Sequence, residues 1–182
     1  MYLHNDKWEV DISEVNYNPD SADNTVIPDA YIVICDDYTK QLLLNITDTG
    51  YANEKKIVLS VSFFTPHDDF AFLDENKLIL FLNDTVWEYN IQTEKVRKKE
   101  IDLTGTLFSV YRYHDDFILY GETDIIKMNA ELDVLWDFMA RDIFVRYHGE
   151  EPAFEMMPDR IRLYDFSDNY YETDYEGKVI RD

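Results

Sequence analysis

A single run settles the architecture expected of this chain: Lys77-Leu78-Ile79-Leu80-Phe81-Leu82-Asn83-Asp84-Thr85-Val86-Trp87-Glu88-Tyr89-Asn90. Two stretches rich in aliphatic, β-branched and aromatic residues flank the polar pair Asn83-Asp84, which is the pattern of two strands joined by a short turn. A second turn and Lys95-Val96 add a third strand. The same order returns twice downstream. Phe117 to Tyr120, Gly121-Glu122-Thr123, Asp124 to Asn129 and Val134-Leu135-Trp136 repeat it, as do Ile161 to Tyr164, Ser167-Asp168-Asn169, Tyr170 to Asp174 and Lys178-Val179-Ile180. Each unit closes on Asn or Asp, and the closing residues Asn90, Asn129 and Asp174 lie 39 and 45 positions apart. That period suits one small antiparallel sheet per unit.

Upstream the units are less regular, but strands are still legible. Trp8, Val10 and Ile12 alternate with Glu9, Asp11 and Ser13, a period of two. Asn16 to Asp29, with Pro19 and Pro28, reads as a loop, so the first 30 residues are expected to form a loosely packed strand and loop. Strands follow at Tyr31 to Cys35, Gln41 to Ile46 and Ile57 to Phe64, with Asp36-Asp37 as a turn. The 182 residues suit one domain, 1–182, and 46% hydrophobic content excludes a disordered chain. Aromatics at 15% favour sheet, and only five Gly leave Asn and Asp to make most turns.

The three downstream units resemble β-propeller blades over roughly 70–182, without the Gly-His and Trp-Asp signature of the commonest blade repeat. The resemblance implies an all-β, mainly antiparallel fold of blade-like hairpin or meander repeats. A partial or small propeller-like arrangement and a twisted open sheet both satisfy it, and it implies a tendency to bind proteins and no catalytic residues. At most one short helix is expected. Leu132, Leu135, Trp136, Met139 and Ile143 fall at helical spacing behind a possible Asn129 cap, while Trp136 to Phe138 continues a strand alternation, so 129–143 admits either form. Arg141 to Tyr147 reads as a further strand. His67-Asp68-Asp69-Phe70 is echoed by His114-Asp115-Asp116-Phe117, in a register that disagrees with the strand repeat.

The motifs of catalysis are missing. There is no Gly-x-Ser-x-Gly, no phosphate-binding loop and no dinucleotide fingerprint. Neighbouring residues of a strand point to opposite faces, so Asp36-Asp37, Asp68-Asp69 and Asp115-Asp116 read as turn formers rather than converging carboxylates. His67 and His114 beside aspartates raise a metal-dependent hydrolase as a third reading, but equivalent places in neighbouring units would hold them apart. Asp165, Ser167, Asp168 and Asn169 carry closely spaced oxygens without the glycine and distal Glu of a calcium loop. Cys35 sits in an apolar strand and has no disulfide partner. No cofactor and no metal is expected.

Charge is the outstanding property: 17 Lys and Arg against 38 Asp and Glu, a net −21. Such a field repels nucleic-acid backbones and anionic membranes and attracts basic proteins. With no secretory leader pattern and no apolar run of membrane length, the cytoplasm is the expected location. The expected function is therefore non-enzymatic binding of a basic protein, concretely an immunity or inhibitor protein covering the active surface of a toxin or nuclease. The alternative is a repeat-type scaffold or ligand-binding module whose acidity is incidental. Tyrosines among carboxylates supply anchors with electrostatic steering, which nominates Tyr111, Tyr113, Asp115, Asp116, Tyr164, Asp165, Asp168, Tyr170, Tyr171, Glu172 and Asp174 as the partner-binding residues.

Overall fold

The computed structural model describes residues 1–35, 40–51, 53–62, 69–149 and 151–182. Strands alone build it, and no helix occurs among the described residues. The chain divides into two compact units, Met1–Lys99 and Glu100–Asp182.

In the first unit, β1 (Tyr2–His4), β2 (Trp8–Glu14), β3 (Ala30–Val33), β4 (Lys40–Asp48) and β5 (Glu54–Val61) form a sheet in the order β1-β2-β4-β5-β3. Strand β3 runs parallel to β5, Ala30 opposite Ile57. The connection that such pairing requires runs from β3 to β5 through β4. The alternation read in β2 is real: Val10 and Ile12 are buried while Glu9 and Asp11 are exposed. The N-terminal segment is anchored, because the Met1 ammonium donates to the Ile12 carbonyl at 2.6 Å and Met1 packs on the core.

A second sheet, β6 (Ala71–Asp74), β7 (Lys77–Leu82), β8 (Thr85–Asn90) and β9 (Lys95–Glu100), runs in chain order. Leu78, Leu80, Leu82, Trp87 and Tyr89 join Val10, Ile12, Leu42, Leu44, Ile57 and Leu59 in one apolar cluster. Each of these aliphatic side chains contributes about 1.5–3 kcal/mol when fully buried, so this contact dominates the unit's stability.

The second unit holds two further meanders. One comprises β10 (Leu107–Tyr113), β11 (Asp116–Gly121), β12 (Asp124–Met128) and β13 (Val134–Met139); the other comprises β14 (Phe154–Met156), β15 (Ile161–Tyr164), β16 (Tyr170–Thr173) and β17 (Val179–Arg181). Ile118, Ile125, Phe144, Ile161, Leu163, Tyr171 and Tyr175 form the unit's core, with Trp136, Phe138 and Phe154 packed against it. Among the described residues the fold is thus all-β, with three four-stranded antiparallel meanders of blade form and no closed sheet.

Two devices recur in all three meanders. The first is the turn after the third strand. Asn90 Oδ1 accepts the Thr93 N–H at 2.9 Å, Asn129 Oδ1 accepts the Asp133 N–H at 2.8 Å, and Asp174 Oδ1 accepts the Lys178 N–H at 2.8 Å. The second is a diagonal ion pair between the second and third strands. Glu88 faces Lys77 at 3.8 Å, Lys127 faces Asp116 at 3.2 Å and Glu172 faces Arg160 at 3.2 Å. The register makes them equivalent, since Ile79 pairs with Glu88, Ile118 with Lys127 and Arg162 with Glu172, each two residues beyond the counterion. In the middle meander the polarity is reversed.

Several expectations need correction. The helix admitted over 129–143 gives way to a turn and β13. Leu132 is buried at φ 65°, whereas Leu135 and Met139 are exposed, so the helically spaced residues share no face. Period two wins because it turns Trp136 and Phe138 together into the core. No strand forms over Arg141 to Tyr147. Each unit also has four strands rather than three, since β6, β10 and β14 precede the strands read from sequence. The His-Asp-Asp-Phe echo is not a repeat position: Asp69-Phe70 precede β6, while His114-Asp115 make the β10–β11 turn. His67, Asp68 and Asp36-Asp37 lie outside the described residues.

With so few glycines, turns force other residues to left-handed backbone, among them Glu94 at φ 58°. Glu75→Gly, at φ 48°, is expected to raise stability by roughly 0.5–1 kcal/mol, because relief of 1–2 kcal/mol of strain exceeds the entropic cost of glycine. Denaturant unfolding measures it, and an unchanged midpoint would contradict the strain argument.

Candidate protein-binding surface

The nominated residues divide by strand direction into three groups. Tyr111, Tyr113 and Tyr171 face inward. The Tyr111 ring stacks on Phe154 with centroids 4.8 Å apart, and Tyr113 stacks on Tyr175 at 3.7 Å, tying β10 to the last meander. Tyr171 is buried and its hydroxyl donates to Asp165 Oδ2 at 2.6 Å.

Asp165 is the buried hub of this group. Its Oδ1 accepts the Ser167 and Asn169 N–H groups at 3.0 and 2.9 Å, and Oδ2 also accepts Asn169 Nδ2 at 2.9 Å. Burial disfavours the charge, but the hydrogen bonds from Tyr171, Asn169 and Ser167 outweigh it and hold the carboxyl below its ordinary range. The oxygen-rich run Asp165 to Asn169 is thereby an Asx turn whose central carboxylate is occupied by the chain's own donors. Asp174 and Asp115 serve turns, and Asp116 is engaged by Lys127, whose ammonium also donates to the Tyr175 carbonyl at 2.9 Å.

The remaining four, Tyr164, Asp168, Tyr170 and Glu172, do meet on the outward face of the last meander. They meet arginines there. Register places Glu155, Arg162, Glu172 and Arg181 directly opposite one another across four strands, alternating in sign. Arg146 lies over the Tyr164 ring at 4.0 Å and Arg181 over Tyr170 at 4.6 Å. The Tyr164 hydroxyl donates to Glu151 at 2.9 Å, and Asp168 lies 3.6 Å from Arg146. The Tyr170 hydroxyl donates to Glu172 and, with Arg160, holds that carboxyl below its usual range against the opposing effect of burial. Burial, then the Glu172 charge, pushes the Tyr170 hydroxyl up to about 12. Sequence reasoning named the acids and tyrosines of this face and missed the four arginines that neutralise them.

Unbalanced negative charge gathers elsewhere in the second unit. Ile101, Asp102, Thr104, Asp124, Ile126, Val134, Asp137 and Met139 line a notch of about 200 Å³ that holds three carboxylates and no Lys or Arg. Asp124 is fixed by the Thr104 N–H at 3.0 Å and the Thr123 hydroxyl at 2.9 Å. Asp102 and Asp137 are exposed, and so are the apolar Val134, Leu135 and Met139 beside them. No sequence signal joins Asp102 to Asp137, because their proximity depends on the segment after Glu100 lying along β12. Among the described residues no three His, Cys, Asp or Glu side chains are arranged to hold a metal ion. His114 packs edge-on against Tyr113 at 4.5 Å.

No protein-family model and no curated protein matches the sequence. Among solved structures the chain is similar to BamB from Moraxella catarrhalis, at 14% identity and a TM-score of 0.45, covering 87% of this chain and 52% of that one. It is also similar to Hsv2 of Kluyvelomyces marxianus, at 8% identity and a TM-score of 0.40, covering 78% and 46%. The chain spans about half the length of these two structures. Both are β-propeller-type proteins.

Asp165→Asn is expected to cost roughly 1.5–3 kcal/mol, since it turns an amide N–H₂ against donors that now meet a charged acceptor. The sign with pH follows from the depressed carboxyl. Its stabilisation is present above the ordinary aspartate range and is lost as pH falls through the lower folded-state value. Acid unfolding of the Asp165→Asn variant should lack that portion of the pH dependence; parallel acid curves would show that Asp165 is not the hub.

Proposed function

We propose that this chain is a non-enzymatic binding protein for a basic protein partner, with the Asp102, Asp124 and Asp137 notch at the centre of the contact. The observation that carries the reading is this notch: three carboxylates beside exposed apolar side chains, without a cation among the lining residues. The arginine-laced face of the last meander has its charges matched internally and contributes little steering. In its concrete form the reading is an inhibitor or immunity protein that covers the active surface of a basic toxin or nuclease. The net −21 accelerates encounter with such a partner, and the apolar rim then holds it.

The blade-form meanders favour a second reading, a binding scaffold whose acidity is incidental. One experiment separates the two. Tagged protein in its native lysate should recover a basic protein at low salt and release it at high salt. With that protein in hand, the Asp102→Asn, Asp137→Asn double variant should associate more slowly, with a shallower salt dependence and a nearly unchanged dissociation rate. An association rate that ignores both salt and these substitutions would leave the scaffold reading in possession.

A further inference from the structure

We infer that the open edge of β13 accepts an extended segment of the basic partner as an added antiparallel or parallel strand, read as apolar–x–Lys/Arg–x–apolar; this rests on the basic-partner reading above and specifies its mode. Strand β13 ends its sheet, with β12 on one side and no strand on the other among the described residues. The Ala140 N–H donates to the Thr123 carbonyl at 2.9 Å. Alternation along an antiparallel ladder then turns the N–H and C=O groups of Met139 and Asp137 toward the open side, up to the bulge at Leu135.

The side chains of Met139, Asp137 and, past the bulge, Val134 lie on one face, since Met139 pairs with Asp124, Asp137 with Ile126 and Val134 with Met128, while Phe138 and Trp136 pair with Ile125 and Lys127 on the other. That face carries Val134 and Met139 at 44% and 59% exposure on either side of Asp137. An added strand would set apolar residues against Val134 and Met139. Its central Lys or Arg would lie opposite Asp137, reaching into the notch with Asp102 and Asp124.

The corresponding edge of the preceding meander is built differently. Strand β9 ends its sheet as Lys95-Val96-Arg97-Lys98-Lys99-Glu100, a row of cations of the kind that discourages edge pairing. Strand β13 carries no Lys, Arg or Pro, and its bulge at Leu135, opposite Lys127, leaves Trp136 to Met139 in regular register. A second copy of the chain is disfavoured as the occupant, because two molecules of net −21 repel one another.

The test uses the full chain and a fluorescent peptide with the central sequence valine–threonine–lysine–threonine–valine, against the same peptide with glutamate for lysine. The lysine peptide should bind and the glutamate peptide should not. Asp137→Asn should weaken binding about two- to fivefold. Met139→Pro, which removes an outward N–H together with the Met139 side chain, should abolish binding, whereas Met139→Ala, which keeps the N–H, should only weaken it, with circular dichroism and thermal unfolding of both variants those of the parent. Equal binding of the two peptides, undiminished binding by Met139→Pro, or self-association that Met139→Pro removes would each overturn strand addition. A recovered basic protein that binds Met139→Pro normally but fails on the Asp102→Asn, Asp137→Asn variant would sink strand addition while leaving the basic-partner reading intact.

Discussion

A side-chain oxygen accepting a backbone N–H after the third strand of each meander is the constraint on which the rest hangs. Asn90, Asn129 and Asp174 occupy that place and close the turn into the outer strand. In a chain with five glycines, short Asx side chains do this work because they supply a local acceptor and tolerate turn geometry. Closing the turn sets the register of β9, β13 and β17, and register decides which side chains of those edge strands face water. At β13 it sends Trp136 and Phe138 inward and leaves Leu135, Asp137 and Met139 outside.

Charge is managed at two scales. Within each meander a diagonal pair neutralises the ionised group of the third strand, and the reversed polarity of Asp116 and Lys127 shows that geometry, rather than sign, is what repeats. Lys127 is nearly buried, so its Asp116 partner and the Tyr175 carbonyl are necessary to offset desolvation. At the scale of the chain there is no balance. Residues 1–99 carry nine Lys and Arg against 18 carboxylates, and residues 100–182 carry eight against 20, for net charges of −9 and −12. The last meander uses four arginines of the second set on its outer face, which leaves the β12–β13 notch without any.

Tyrosine plays opposite parts on the two faces of the last meander. Inward, Tyr171 donates to Asp165 and stabilises a buried charge; outward, Tyr164 and Tyr170 lie beneath guanidinium groups and donate to Glu151 and Glu172. Composition alone treats these residues alike. A face change of one position along a strand separates a core strut from a solvent-facing contact.

The strand class, the three-strand rhythm with its Asn or Asp closure, and the surplus of negative charge are written in the residues themselves, because period-two patterning and turn chemistry are local properties. The first strand of each meander emerges only in three dimensions. In β10 the register shift between Leu107 and Ser109 breaks the alternation, and β14 spans just Phe154–Met156, too short to show a period. The partition of nominated residues between core, turn and surface was equally hidden, since Tyr111, Tyr171 and Tyr164 differ by the face they occupy and not by local pattern. The notch was hidden for a stronger reason: Asp102, Asp124 and Asp137 are separated along the chain and become neighbours only when the segment after Glu100 lies against β12.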